Sequence, residues 1–386
     1  MIFGLETKKF LSGFSCEGNP KESRSASSRG TLSKFFRERK SSFCAETAVF
    51  GHACCDWHQG SIFSRRAVML TFLPSPRIME RMKIVYRARD YLVYLCLRIL
   101  ICVIQGMSLP MGYASAAILA RLFTDYLPAR QELLRENLGI AFPELTEKQR
   151  HTLIFRMWRH LFMMLVEIAH APRKIRECNW PHNARLVGVR PLLSYLRQNR
   201  PVIIVTGHYG NFEMGGFLLG VLGYPTHSVA RTLDNRFVND FIKRFREATG
   251  QFLISKNEGY EDILRVLENK GTMAFLADQS AGPKGCFVDF FGQPASTYKA
   301  IALLSMQYDA PIVVCASTRD EDGDLFFRMH AAAHLDPRDL PEGIGNIKEI
   351  TQWYTGQLEE RIREYPEQYW WIHNRWKEKP RRASGG

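Results

Sequence analysis

"PVIIVTGHYGNFEMGGFLLGVL", residues 201–222, reads as a strand, a tight turn and a helix in immediate succession. Residues 202–205 are an unbroken apolar run, the pattern of a strand covered on both faces. Gly207 and Gly210 follow, and glycine lets the backbone turn sharply and approach a ligand closely. A helix then begins near Asn211 or Phe212. His208 therefore falls at the carboxyl end of a central strand, where open α/β sheets gather their ligands.

Working outward, the same alternation repeats. Strand-like runs occupy 184–189, 201–207, 225–231, 271–277 and 311–318. Amphipathic or apolar helical patterns lie between them, including "NRFVNDFIKRFREAT", "YEDILRVLEN" and "STYKAIALLSMQY". Strand–helix alternation at this spacing predicts an α/β fold with a mainly parallel sheet flanked by helices. "DGDLFFRMHAAA" (322–333) adds a strand at one side, and a last helix covers about 344–364. Upstream, 124–182 is helical in pattern, with a helix start at Thr146.

The N-terminal third differs. Residues 1–78 are rich in Ser, Gly and charge, show no sustained period, and carry 12 Lys+Arg against 6 Asp+Glu. They read as a disordered basic head: a dispensable tail, a targeting extension, a membrane-surface arm, or an extended gene start with Met69, Met79 or Met82 as the true one. "HACCDWH" within it holds His52, Cys54, Cys55 and His58, but adjacent cysteines seldom build a tetrahedral site, so no metal is expected. Residues 79–123 follow as a membrane-associated helical segment. Within it, 99–120 carry no charge over 22 residues, long enough to span a bilayer. Pro110 should bend or break a helix there, so two halves dipping into one leaflet fit as well.

The whole chain carries 52 Lys+Arg against 39 Asp+Glu, a net +13 that favours an anionic partner. No nucleic-acid reading motif accompanies that charge, and neither a dinucleotide fingerprint nor a phosphate loop occurs, so nucleic acid, NAD and ATP are poor candidates and no cofactor is expected. The nine cysteines form no zinc-type spacing.

His208 has the setting of a proton carrier. Glu213, in the first turn of the following helix, can reach back toward it and fix the ring's tautomer. General-base work of this kind contributes about 10²- to 10⁴-fold in rate. Backbone N–H groups between Gly210 and Phe212 are the expected oxyanion donors. Asp278 and Gln279 end another strand and lead into "SAGPKG", a loop beside the cleft suited to positioning substrate. "FVDFFG" and "YWWIHNRW" read as core packing. In the tail, Arg375, Lys377, Lys379, Arg381 and Arg382 beside tryptophans suit a lipid headgroup interface.

"NLGIAFPE" (137–144), "GHYGNFE" (207–213), "ADQSAGPKGCFVDFFGQPAST" (277–297) and "YWWIHNRWK" (369–377) together resemble the lipid A late acyltransferase family over roughly 85–378. The resemblance implies a glycerolipid-acyltransferase-like domain with a membrane-associated N-terminal segment. It also implies an H-x4-D/E motif that moves a fatty acyl group from acyl carrier protein to a hydroxyl of a lipid A precursor. His208 and Glu213 occupy that motif as the catalytic pair. Arg231 and Arg246 match basic positions of the family pattern and are expected to bind substrate phosphate, or one of them to help order the His–Glu pair; Asp278, Gln279, Gly210 and Asn211 are also expected to bind substrate. The domain would run from 124 to 378, with 379–386 a basic tail, at the cytoplasmic face of the inner membrane beside anionic lipid. Two alternatives stay open: an acceptor that is another glycolipid or aminolipid, and a non-catalytic membrane-binding paralogue.

Overall fold

The computed structural model describes residues 76–127, 130–256, 259–319 and 325–380. These residues belong to two units, one ending at Arg87 and the other beginning at Ala88. The basic head up to residue 75, the "HACCDWH" cluster, Arg381 and Arg382 lie outside the described residues.

A seven-stranded sheet organises the larger unit, with strands β1 (Ala184–Val187), β2 (Val202–Thr206), β3 (Thr226–Ala230), β4 (Gln251–Ser255), β5 (Thr272–Leu276), β8 (Ile312–Arg319) and β9 (Phe327–Leu335) in the order β1-β9-β8-β2-β5-β3-β4. All neighbours are parallel except β8 and β9. β2 is central, and its pleat divides its side chains between two cores. Ile203 and Val205 pack under helices α8 (Tyr260–Glu268), α9 (Ala300–Tyr308) and α10 (Ile347–Glu364). Val202 and Ile204 pack on the other face, with Leu192 of α5 (Arg190–Arg197) and Leu219 of α6 (Phe212–Val221). The unbroken apolar run is thereby explained: a strand covered on both faces has no polar side to show.

Three features depart from the pattern read in the sequence. The strand expected at one side of the sheet, β9, lies inside it between β1 and β8, because β1 adds to its far edge. β4 follows directly on Gly250 and is short enough to carry no clear period. β6 (Cys286–Phe290) and β7 (Gln293–Thr297) form a separate hairpin closed by Phe291 and Gly292, both at positive φ, the signature of a two-residue type I′ turn. Phe290 and Phe291 are buried, as "FVDFFG" predicted.

The N-terminal helices are α1 (Pro76–Gly106), α2 (Leu109–Arg121), α3 (Gln131–Ala141) and α4 (Glu147–Lys174). The uncharged stretch is not one helix: α1 stops at Gly106, Ser108 caps α2, and Pro110 sits in the first turn of α2, where its missing N–H costs nothing. Among the described residues no helix is long and apolar enough to cross a membrane. α2 instead packs on α4 through Tyr113, Ala116, Met163 and Val166. The end of α1 is tied to the same helix by Gln105 donating to the Ala169 carbonyl at 2.7 Å and by His170 at 3.0 Å from the Ile104 carbonyl. Thr146 caps α4 in a capping box with Gln149, as its sequence signalled.

Candidate active site

The site forms where the ends of β2 and β5 lie side by side. Thr206 and Leu276 are paired in the parallel ladder, so the residues two steps beyond each, His208 and Asp278, meet. The Asp278 carboxylate accepts from the His208 backbone N–H at 2.9 Å and from ring Nδ1 at 2.9 Å. Ionised carboxylate only accepts, so Nδ1 carries the proton and Nε2 presents its lone pair. Asp278 is buried. Burial alone opposes its ionisation, but the His208 charge and both hydrogen bonds outweigh it and hold the carboxyl well below the usual carboxylate range.

Glu213, expected to hold the histidine ring, does not do so. It lies in the first turn of α6, as foreseen, but its carboxylate takes two bonds from Arg246 of α7 (Arg236–Glu247), Nε at 2.9 Å to one oxygen and Nη2 to the other. Arg246 is thus committed to Glu213 and helps fix the start of α6. Arg231 is half exposed, 3.7 Å from Asp234.

The turn between β2 and α6 is held from behind. Gly210 adopts φ +60°, and a Cβ there would stand 2.1 Å from the Ser317 carbonyl oxygen, so only glycine fits. Its N–H donates to the Gln368 carbonyl at 2.9 Å, and the Asn211 N–H donates to the Ser317 carbonyl at 2.7 Å. Two of the amides expected as oxyanion donors therefore face the protein. The Asn211 side chain caps α6 through the Met214 N–H and donates to Glu167 at 2.8 Å. Gly210, Asn211 and Asp278 were expected to touch substrate; the structure places them around His208, and none of the three is among the residues lining the cavity.

Beneath the turn, Glu167 (0% exposed) also pairs with the Arg319 guanidinium and receives Tyr113 Oη at 3.4 Å. Arg319 Nη1 donates to His160 Nδ1 at 2.9 Å, which leaves Nε2–H of that ring to donate to the Gly210 carbonyl at 3.2 Å. Burial, aided by the Arg319 charge, pushes the His160 pKa well below its ordinary value, so the ring is neutral as this chain requires. No local sequence signal joins these residues; α4, the turn and β8 meet only in the fold.

The C-terminal segment completes the site. Trp370 N–H donates to the His208 carbonyl at 3.0 Å, and Tyr209 forms a bridge with Tyr369. Trp371, Tyr369 and Tyr209 are buried together with Phe142, Phe290 and Phe291, so the aromatic run is core, as expected. His373 was not singled out, yet its ring centroid is 4.6 Å from that of His208. Burial first, then the His208 charge, push its pKa down to about 3, against an opposing pull from Asp278. Arg375 is no headgroup ligand: 2% exposed, it donates to the Ser296 carbonyl and Thr297 Oγ1, each at 2.6 Å. Lys377 and Lys379 are exposed.

A cavity of about 550 Å³ is lined in part by His208. Its walls include the polar side chains of His208, Gln279, His373, Arg231, Glu213 and Arg246 together with many apolar ones such as Ile204 and Leu219, a mixture suited to a ligand with a reactive head and an apolar body. The arrangement provides a base with a fixed tautomer beside a largely apolar chamber. Among the described residues no group of three or more potential metal ligands gathers.

A family model described as "Bacterial lipid A biosynthesis acyltransferase" matches residues 79–378. The lipid A biosynthesis palmitoleoyltransferase of Escherichia coli (strain K12) is 27% identical over 264 residues, 66% of this chain and 81% of that protein. The lipid A biosynthesis lauroyltransferase of the same strain is 23% identical over 297 residues, 76% of this chain and 93% of that one. The 1-acyl-sn-glycerophosphate acyltransferase PlsC from Thermotoga maritima superposes with a TM-score of 0.33 at 12% identity, over 66% of this chain and 98% of that chain, a likeness too weak to bear on the fold.

Proposed function

The chain belongs to the bacterial lipid A biosynthesis acyltransferase family and is an acyltransferase; from that premise we propose that it moves a fatty acyl group from an acyl carrier protein thioester to a hydroxyl of a lipid A precursor. The observation that carries the mechanism is the His208–Asp278 pair at the cavity wall, where the carboxylate occupies Nδ1 and leaves Nε2 for the substrate. His208 takes the proton of the acceptor hydroxyl as its oxygen attacks the thioester carbonyl. Asp278 stabilises the imidazolium that results. When the C–S bond breaks, the leaving thiolate takes that proton back. A thioester is already activated, so the reaction needs neither metal nor nucleotide.

The acyl chain would lie in the apolar depth of the cavity, and Arg231 at its rim suits a phosphate of the acceptor. Membrane attachment would come from the outer faces of α1 and α2, where Leu92, Ile99, Leu100, Val103, Met111 and Ile118 are exposed. So large an apolar surface is out of place in water and suited to the lipid boundary of the inner membrane, with the catalytic site at the cytoplasmic face where acyl carrier protein is found. The basic net charge would draw the acidic donor and the anionic acceptor alike.

Incubating the protein with acyl carrier protein thioesters of several chain lengths and a tetra-acylated lipid A precursor, read by mass spectrometry, tests the assignment. A mass gain of one acyl group on the precursor is expected, and the activity should stay with membranes washed in high salt, since apolar insertion is not screened as charge is. Gain on another glycolipid alone would move the acceptor, and no transfer to any acceptor would sink the reading.

Asp278 and Glu213 are separable by experiment. In Asp278→Asn the amide oxygen is needed by the His208 backbone N–H, so the NH₂ faces Nδ1 and drives the ring proton to Nε2, the wrong nitrogen for a base. Glu213→Gln weakens the Arg246 contact and leaves the histidine pair intact. Asp278→Asn should therefore lose at least about tenfold more kcat than Glu213→Gln. The reverse order would return Glu213 to the role of histidine partner.

A further inference from the structure

We propose that the side chains of Gln279 and His373 form the oxyanion site, holding the carbonyl oxygen of the thioester as it becomes an alkoxide. This rests on the acyl-transfer reading above. Its starting point is the loss of the obvious alternative. The Gly210 and Asn211 amides are spent on the Gln368 and Ser317 carbonyls, so the turn that carries His208 offers the reaction neither of them.

What stands in front of His208 instead is a pair of polar side chains. Gln279 Nε2 lies 3.5 Å from His208 Nε2 and 3.4 to 3.5 Å from the two ring nitrogens of His373. All three residues line the same cavity. These contacts gather the Gln279 amide, the His373 ring and the His208 base at one point of the cavity wall, so an oxygen can sit to the cavity side of all three. The acceptor oxygen would stand about 2.8 Å from His208 Nε2 and the alkoxide about 2.9 Å from a donor nitrogen, spacings that close around a tetrahedral carbon.

The surroundings of His373 suit the role. Its backbone carbonyl receives Asn137 Nδ2 at 2.7 Å and the Arg375 N–H at 2.9 Å, and its ring stacks on Trp370, so both ends of the residue are fixed. A neutral imidazole still carries one N–H and polarises a carbonyl without placing a second positive charge beside His208. Gln279 supplies two N–H groups on a neutral amide. In the step proposed, the acceptor oxygen forms the new C–O bond and gives its proton to His208. The carbonyl π pair moves onto oxygen and is held by the Gln279 and His373 N–H groups. It then returns as the C–S bond breaks, and the thiolate takes the proton from His208.

The test uses the full chain with an acyl carrier protein thioester and a tetra-acylated lipid A precursor. Gln279→Leu and His373→Phe should each lower kcat by about 10²- to 10³-fold, with the thioester KM within about threefold of wild type. His373→Gln, which restores an N–H, should recover at least about tenfold of that loss. An alkyl trifluoromethyl ketone, whose hydrate is a tetrahedral carbon bearing hydroxyl oxygens and cannot turn over, should bind more weakly to the two donor-less variants. Folding is checked by circular dichroism, and if His373→Phe does not fold, Gln279→Leu decides alone. A kcat within about threefold of wild type in a folded variant, or a loss confined to KM, overturns the proposal. A wild-type protein that transfers no acyl group would instead sink the reading beneath it.

Discussion

His208→Ala is expected to lose at least about 10² of the turnover in acyl transfer, while the protein stays folded and membrane-bound. The turn around His208 is held by backbone bonds that alanine keeps, including the His208 N–H to Asp278, although the buried Asp278 carboxylate loses its ring partner. What disappears is the only nitrogen in the Asp278 pair able to take the hydroxyl proton. The loss should fall on kcat more than on KM, since the base acts in the transition state and the substrate is held elsewhere. Initial rates across a range of thioester concentrations, on a variant with an unchanged melting temperature, check this. Wild-type turnover in that variant would remove His208 from the mechanism.

Glu167→Ala should have the largest effect on stability. The substitution removes the carboxylate paired with the buried Arg319 guanidinium, and breaking a buried ion pair by deleting one partner costs about 3 to 5 kcal/mol. It also frees the Asn211 amide and so loosens the turn that carries His208. A fall in melting temperature of roughly 10 °C is expected, with a smaller fall for Glu167→Gln, which keeps an acceptor for Arg319. Thermal unfolding followed by circular dichroism measures both. A Glu167→Ala protein melting within about 2 °C of wild type would show that the network adds nothing to the fold.

Much of this was legible in the chain itself. The run 202–205 announced a strand covered on both faces, the glycines after it a tight turn, and the alternation around it a mainly parallel sheet between helices. The Thr146 cap and the position of His208 at a strand end were also written locally. Each of these depends on residues within a few positions of one another, where side-chain periodicity and turn chemistry leave a mark. Pro110 likewise warned that the uncharged stretch would break, though its apolar length spoke for a span.

What the sequence left open was which residues meet. Glu213 is five positions from His208 and looked like its partner, because only near neighbours can be judged along a chain. Asp278 is seventy positions away and is the partner, because β5 pairs with β2 in parallel register and brings the two strand ends level. In the same way His373, Glu167 and Arg319 reach the turn from three other elements and show no common spacing. Strand order is a property of the whole sheet, set by which faces can be buried together. Local pattern determined where a base would stand, and only the tertiary structure decided which carboxylate stands behind it.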